Sequence, residues 1–530
     1  MVCCQSRLAY IQTLWVTAAQ MRAIESRVFA AGMPVAALME KVAGLVARQI
    51  QGLYPRGRFP KVGILVGPGH NGGDGAVIAR ELYFSGYEVL LHHPFSRSKE
   101  LTAQHVQYAI SLGMPGCKQI ESLQHCDLLI DGLFGFGLER SLTHDLAATV
   151  EHLNQGSQPI LSIDLPSGLH TDTGAILGAA IRATHTFCLG LWKLAFAQEQ
   201  ALPYLGVSEL IDFDLPVADI QAVLGNALPY QRITATMAIA HLPLPRPVTT
   251  HKYQIGHLLL ICGSRRYLGA ALLAGLGARA SGVGMLSIAV PESLKPMLAA
   301  QLPDALILGC PENEAGAIAH LPAGLDLSAY QAIACGPGLT KAAKLVVQAV
   351  LASDRPLLLD ADGLNILAEL GPIKALSSRM APTVLTPHLG EFKRLFPDQA
   401  DACGQDRLAA VRTVAQRSRG IVLLKGARVA IANAEGTIWI NPESTPALAR
   451  GGSGDVLSGL LGGLMAQATS TPTTSTHSAV TAMAQAAAWW HAQAGQLAAQ
   501  ERTELGVDAC TLTQYLMPAL QSQIALLEEY

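Results

Sequence analysis

The chain has 530 residues, beyond the roughly 250–300 over which one hydrophobic core stays compact, so two domains of enzyme size are expected. Half the residues are hydrophobic and 50 are glycine, which suits buried strands with tight connections; only 5% are aromatic, which argues against an all-β architecture. A net charge of −3 offers no basic field for nucleic acid, and every apolar run is broken well short of the ~20 residues of a membrane span.

The ten cysteines show no CxxC pair and no Cys–His spacing suited to zinc, so they read as reduced, mostly buried thiols. Cys3 and Cys4 stand in a segment without the charged start and apolar stretch of a signal peptide. A soluble, cytoplasmic protein is expected.

In the first half, strand-like runs at Val62–Val66, Glu88–Leu91, Leu128–Ile130 and Pro159–Ile163 alternate with helix-length segments, the pattern of a parallel, doubly wound sheet. The first strand runs into Gly67-Pro68-Gly69-His70-Asn71-Gly72-Gly73-Asp74-Gly75, with a helix predicted from about Ala76 to Phe84. Glycines permit close backbone approach, and a helix N-terminus presents free N–H groups to an anion. Gly67, Gly69 and Gly72 satisfy GxGxxG, yet Pro68 stiffens the turn. Glu88 moreover begins the second strand, where a ribose-binding acid should end it. A glycine-rich turn without ligand therefore stays open at this point. Asp131-Gly132-Leu133-Phe134-Gly135-Phe136-Gly137-Leu138 follows the third strand, and Asp164-Leu165-Pro166-Ser167-Gly168 follows the fourth. Asp131 alone reads equally as a cap or turn residue. Three glycine-bearing loops at one sheet edge point instead to a shared site, because ligands of open α/β sheets gather there.

GPGHNGGDG, DGLFGFGL and DLPSG together resemble the YjeF-type N-terminal domain, the NAD(P)H-hydrate epimerases, over roughly residues 15–215. The resemblance implies a Rossmann-like sheet. It also implies that His70, Asn71, Gly72, Gly73, Asp74, Gly135, Phe136, Gly137, Leu138, Glu139, Arg140, Ser141 and Asp164 contact a hydrated dinucleotide. A potassium ion would be held by Asn71, Asp131 and Ser167, whose side chains carry the oxygen a hard cation requires. His70 stands where asparagine is usual and Phe136 where threonine is usual. Hydration leaves a hydroxyl on C6 of the reduced nicotinamide; acid-assisted loss gives an iminium-type intermediate that water can attack from either face. Asp164 is the candidate catalytic acid/base.

Asp212 to Asn226 reads as the end of the first domain and the start of a connection, with the boundary near residue 227: domains 1–226 and 227–530. After the proline-punctuated Leu242–Pro247, a second set of strands follows: His257–Ile261, Leu286–Val290, Ala332–Ala334, Leu357–Leu359, Thr383–Leu385 and Ile421–Leu424. Thr469–Thr476 is of low complexity and is expected to be an exposed loop. Ala449-Arg450-Gly451-Gly452-Ser453-Gly454-Asp455 precedes a helix predicted through about Ala468. Consecutive glycines there let backbone N–H groups converge on a phosphoryl oxygen, with Asp455 placed to take a hydroxyl proton. The GxxxxGK[ST] signature of a P-loop is absent. Gly263–Ala270, Gly336–Leu339, Asp360–Asn365, Thr386–Glu391 and Lys425–Val429 each follow a strand. Alone, His388 reads as a structural histidine and Lys425 as a solvated strand-end charge; together these loops point to one site.

GSRRYLGA, TPHLGE, KGARV and GGSGDVLSG resemble the ADP-dependent NAD(P)H-hydrate dehydratases of the ribokinase-like superfamily, over roughly residues 235–527. Two three-layer α/β/α domains are therefore expected, the second with a ribokinase-like sheet. By the resemblance, Ala270, Gly338, His388 and Asp455 contact the hydrated dinucleotide, with Asp455 catalytic. Lys425, Gly426, Ala427, Arg428, Val429 and Gly454 would line the adenine nucleotide, which magnesium accompanies. Val429 replaces a usual threonine. Partners are expected to be small molecules, NADHX or NADPHX and ADP, with a homo-oligomer and neither nucleic acid nor membrane. Two other readings stay open: a ribokinase-type small-molecule kinase with a regulatory N-domain, and an N-domain that binds nucleotide without catalysis.

Overall fold

The computed structural model describes residues 4–225, 228–469 and 476–528. Residue 227, and six of the eight residues of the Thr469–Thr476 patch, lie outside them. The chain divides into two compact units, Met1–Leu228 and Pro229–Tyr530.

The first unit is built on seven parallel strands: β1 (Lys61–Val66), β2 (Glu88–His92), β3 (Gly116–Cys117), β4 (Leu128–Gly132), β5 (Ile160–Ile163), β6 (His185–Leu189) and β7 (Val207–Ile211). Their order is β3-β2-β1-β4-β5-β6-β7, the Rossmann arrangement extended by one strand. Right-handed crossovers on either side of the β1/β4 reversal put helices on opposite faces. Side-chain alternation agrees. Val62, Ile64, Val66, Leu128 and Ile130 enter one hydrophobic cluster, whereas Leu65, Leu129 and Ile160 enter another. Helices α1 (Ala18–Ala30) and α2 (Val35–Leu53) feed the first cluster through Met21, Ile24, Val28, Val42, Val46 and Ile50. A capping box fixes the start of α1: Thr17 accepts from the Gln20 N–H, and the Gln20 side chain accepts from the Thr17 N–H. Most of the stretch Asp212 to Asn226 belongs to the first unit. It holds a helix, Val217–Leu224, whose Ile220 and Leu224 pack into the first unit's core.

The second unit carries ten strands: β8 (Tyr230–Arg232), β9 (His257–Ile261), β10 (Met285–Pro291), β11 (Leu306–Cys310), β12 (Ala332–Cys335), β13 (Leu357–Leu359), β14 (Thr383–Leu385), β15 (Ile421–Leu424), β16 (Ala430–Ala432) and β17 (Ile438–Ile440). The order is β8-β17-β16-β15-β14-β13-β12-β9-β10-β11. All pairs are parallel except those of β16, which runs antiparallel to β15 and β17. Leu258, Leu260, Ala332, Ala334, Leu358 and Leu423 enter one core cluster, and the alternate residues Leu259, Ile261, Ile333, Leu357 and Leu424 are fully buried as well. Both faces of this sheet are therefore covered.

Candidate active sites

The β1/β4 reversal opens a crevice at the carboxyl ends of these strands. A cleft of about 1430 Å³ occupies it, larger than the roughly 300–1,000 Å³ of ordinary small-ligand pockets and suited to a dinucleotide. Helix α3 (His70–Phe84) begins at His70, inside the glycine-rich segment and earlier than the expected Ala76. The missing side chains are the reason: a Cβ on Gly72 would fall 2.0 Å from the Gly67 carbonyl oxygen, so only glycine lets the helix start flush against the loop. Gly72 and Gly73 are buried and both N–H groups already donate to the Gly69 carbonyl, at 3.1 and 3.3 Å. They form the wall behind the cleft. His70, Asn71 and Asp74 line it, as do Gly135, Phe136, Gly137, Leu138, Glu139, Arg140 and Ser141.

Asp131 belongs to β4 rather than to the loop after it, and it is fully buried. Its carboxylate accepts from Leu133 N (3.2 Å), Ser162 Oγ (2.9 Å), Ser167 N (2.9 Å) and Ser167 Oγ (2.6 Å). Burial raises its pKa, and these hydrogen bonds oppose the rise. All four donors are neutral. The Asn71 backbone oxygen lies 3.2 Å from where a Gly132 side chain would begin.

Asp164 lies directly after β5 with φ +69°, a left-handed conformation that turns its carboxylate back into the cleft. One oxygen pairs with Lys193 Nζ and accepts from Leu189 N (3.3 Å); the other accepts from Phe136 N (2.9 Å). Lys193 is fully buried. Burial alone would depress its ammonium pKa, but Asp164 and Cys188 outweigh this and the net shift is upward. The Phe136 ring covers the same ammonium at 5.5 Å, so the residue that departs from the family pattern packs onto the ion pair.

Four more carboxylates line this cleft: exposed Glu139 and Asp145, and half-buried Asp74 from the start of α3 and Glu25 from α1. Burial, with Asp164 and Glu25 nearby, pushes the Asp74 pKa well up. Glu25 is pushed up to about 7 by burial; Lys193 pulls it down, Asp164 pushes it up, and Arg22 and Lys99 pull it down. Sequence reasoning singled out neither Glu25 nor Lys193. The signal for Lys193 was there, as the one cation in the apolar run Cys188–Ala197.

In the second unit the strand order reverses between β9 and β12, and their loops touch: a Cβ on Gly338 would lie 2.8 Å from that of Ala270. Helix α6 (Ser453–Ala468) places Asp455 in its first turn, half-buried. Its pKa is pushed up to about 7 by burial and by Asp360, with Lys425 opposing. Asp360 is buried; one oxygen pairs with Lys425 Nζ at 2.8 Å and the other accepts from Ser458 Oγ at 2.5 Å. Gly454 leaves room for this pair, since its Cβ would lie 3.3 Å from Lys425 Nζ. Lys425 is thus an ion-paired residue beside Asp455 and not the solvated strand end that its position alone suggests. Buried His491 braces the start of α6 through its Nε2, 3.0 Å from the Ser453 carbonyl oxygen. Burial pushes its pKa down to about 4, so it holds that oxygen as a neutral donor. His388 caps a helix, accepting from Gly390 N at 3.0 Å, with its ring exposed. Gly426 and Ala427 are exposed, while Arg428 and Val429 are half-buried. Val429 packs against the core, and its carbonyl accepts from Asn441 N at 2.9 Å.

Residues 35–195 match the family described as YjeF-related protein N-terminus, and residues 258–518 match NAD(P)H-hydrate dehydratase. A Synechocystis sp. protein named bifunctional NAD(P)H-hydrate repair enzyme Nnr is 53% identical over 95% of this chain and 94% of its own length. The chain belongs to this family of bifunctional repair enzymes. A relative of the same name from Thermosynechococcus vestitus is 51% identical, covering 96% of this chain and 98% of the relative. A solved ADP/ATP-dependent NAD(P)H-hydrate dehydratase from Bacillus subtilis, co-crystallised with ATP and Mg2+, is 31% identical. It covers 55% of this chain and 97% of its own, with a TM-score of 0.47. In this repair-enzyme chain, each matched segment contains one of the two aspartates, Asp164 and Asp455.

Proposed function

We propose that residues 1–226 interconvert the R and S epimers of hydrated NAD(P)H, and that residues 227–530 dehydrate the S epimer to NAD(P)H using ADP, releasing AMP and phosphate. The observation that carries this reading is full-length membership of the repair-enzyme family, with a carboxylate at the ligand end of each sheet.

In the first unit, Asp164 is a proton-transfer group at C6, held in place by Lys193, Leu189 N and Phe136 N. The substrate would lie against His70 through Asp74 and Gly135 through Ser141, with Gly72 and Gly73 acting from behind the wall. Asn71, Asp131 and Ser167 would hold potassium. Each carries a side-chain oxygen, and Asp131 is a buried carboxylate whose donors are all neutral, a chemistry that suits a monovalent cation. Such an ion would offer positive charge near the departing hydroxyl.

In the second unit, Asp455 takes the C6 hydroxyl proton as that oxygen attacks the β-phosphorus of ADP, and AMP leaves. The Gly451–Gly454 amides stabilise charge on the transferring group. The ring nitrogen's electron pair then expels phosphate, and loss of a C5 proton restores the C5–C6 double bond. Ala270, Gly338 and His388 would bound the dinucleotide; Lys425 through Val429 and Gly454 would line the adenine nucleotide. Among the described residues no three His, Cys, Asp or Glu side chains gather as a metal site. Magnesium would therefore enter with the nucleotide, held mainly by its phosphates and neutralising their charge. The same reading makes the protein a cytoplasmic homo-oligomer with small-molecule partners; no helix among the described residues is long and apolar enough to cross a membrane.

The test is incubation of mixed-epimer NADHX with ADP, with ATP or with neither, followed by the absorbance of restored dihydronicotinamide. Complete conversion with ADP and clearly slower conversion with ATP are expected. Equal or faster turnover with ATP would overturn the nucleotide assignment, and no conversion with either would overturn the reading.

A further inference from the structure

Inversion at C6 of a bound ring needs water to leave from one face and to arrive on the other. Asp164 can serve only one of them. Its two oxygens are tied to Lys193 Nζ, Leu189 N and Phe136 N, so its carboxylate cannot swing around the ring. A second proton-transfer group must reach the cleft from another wall.

Helix α1 supplies that wall. Arg22, Glu25, Ser26 and Phe29, spaced i, i+3, i+4 and i+7, line the cleft, while Met21, Ile24 and Val28 on the other side of the helix are buried in the core. Glu25 is half-buried and, among the described residues, forms no hydrogen bond or ion pair. A carboxylate placed in this way is free to exchange a proton with a ligand. We infer that Glu25 is a second catalytic residue of the epimerase cleft, acting on the face of the nicotinamide ring that Asp164 does not reach. This inference rests on the epimerase reading of the first unit.

The step balances without any further reactant. The Glu25 carboxylic acid protonates the C6 hydroxyl, the C6–O bond breaks, and the ring nitrogen's electron pair forms the iminium as water departs. A second water attacks C6 from the Asp164 side, returning the iminium electron pair to nitrogen and passing its proton to the Asp164 carboxylate. The reverse reaction starts from that protonation state, and exchange with solvent resets it. The charged groups that act on Glu25 are Lys193, Asp164, Arg22 and Lys99, with Asp74 on α3 facing the same space. Its raised pKa, near neutrality, suits a group that must both give and take a proton.

The experiment uses the full chain and each purified epimer of NADHX in H2(18)O without nucleotide, comparing wild type with Glu25→Gln and Asp74→Asn. Inversion of C6 and incorporation of (18)O without inversion are followed separately. Glu25→Gln is expected to slow inversion ~10²-fold or more, in both directions, with KM within a few-fold. It should leave (18)O exchange without inversion in the one epimer whose hydroxyl lies on the Asp164 side. Glu25→Asp should restore part of the inversion rate. Inversion within two-fold of wild type in Glu25→Gln would overturn the inference, as would equal loss of inversion and of same-face exchange in both epimers. Loss of inversion in Asp74→Asn alone would move the role to Asp74 and overturn it too. If wild type itself inverted neither epimer, the epimerase reading would fall first.

Discussion

At Asp455 a single carboxyl group has to be both anionic and close to another anion, Asp360. Burial and that neighbour push its pKa up to about 7, while Lys425 limits the rise. A general base works only when deprotonated, so dehydration by the second unit should climb as pH rises through about 7 and level off above it. This is measurable as kcat under saturating ADP and S-epimer. Asp455→Asn should remove the pH step along with ~10²–10⁴ of the rate, and leave ADP binding within a few-fold. A variant keeping more than a tenth of wild-type turnover would place the base elsewhere. The two aspartates proposed to carry chemistry were legible where they close a motif: Asp164 after a strand, Asp455 after consecutive glycines. Their electrostatic partners were not. Lys193 meets Asp164 from 29 residues away, and Asp360 meets Lys425 across 65. Such pairings are created by strand order, which no local pattern encodes. Glu25 was hidden differently, as one acid on an amphipathic helix whose orientation only the packed core decides.

At the level of elements, the first turn of α6, which carries Asp455, is positioned by how closely that helix crosses α4 (Leu268–Ala280). The approach is glycine-dependent on both sides. A Cβ on Gly459 would stand 1.8 Å from the Ala274 carbonyl oxygen, and one on Gly277 would stand 2.2 Å from that of Val456. Backbone cannot yield as a flexible side chain does, so Gly459→Ala must push the helices apart. A loss of ~1–3 kcal/mol is expected, seen as a lower unfolding midpoint for the second unit. Dehydration should fall with it, because Asp455 and the Gly451–Gly454 amides ride on α6, while epimerisation stays at the wild-type rate. Unchanged dehydration in the alanine variant would show that the site does not depend on this contact. The core strands of both sheets were readable as short apolar runs, since strands buried on two faces lose the polar alternation. The strands that escaped notice are short, peripheral or begin on polar residues. Gly116–Cys117 spans two residues, Val207–Ile211 carries Ser208 and Glu209 on the sheet edge, and His185–Leu189 opens with His185 and Thr186. The antiparallel turn-back through Ala430–Ala432 is likewise a matter of pairing partners and not of composition.

For the whole molecule, the two units carry separate sheets, separate cores and separate aspartates. A dehydratase that consumes one epimer strands the other unless something interconverts them, so the activities should be coupled through free substrate and separable by mutation. Asp164 is the place to cut. It holds no position in the second unit, and its removal takes away both the proposed proton-transfer group and the partner of buried Lys193. Asp164→Ala risks leaving that ammonium unpaired, so Asp164→Asn, which keeps the shape but accepts from only one of the two backbone donors, should be measured beside it. With ADP and a mixed-epimer substrate, both variants should show a fast phase equal to the S fraction, at the wild-type dehydration rate. A slow phase limited by spontaneous epimerisation should follow. Wild type should consume the mixture without the slow phase, and on the proposal that Asn71, Asp131 and Ser167 hold potassium, replacing it by a much smaller cation should bring the slow phase back. One fast phase through the whole mixture in both variants would mean that the first unit does not act through Asp164, and the nucleotide-binding-module reading would then account better for its cleft.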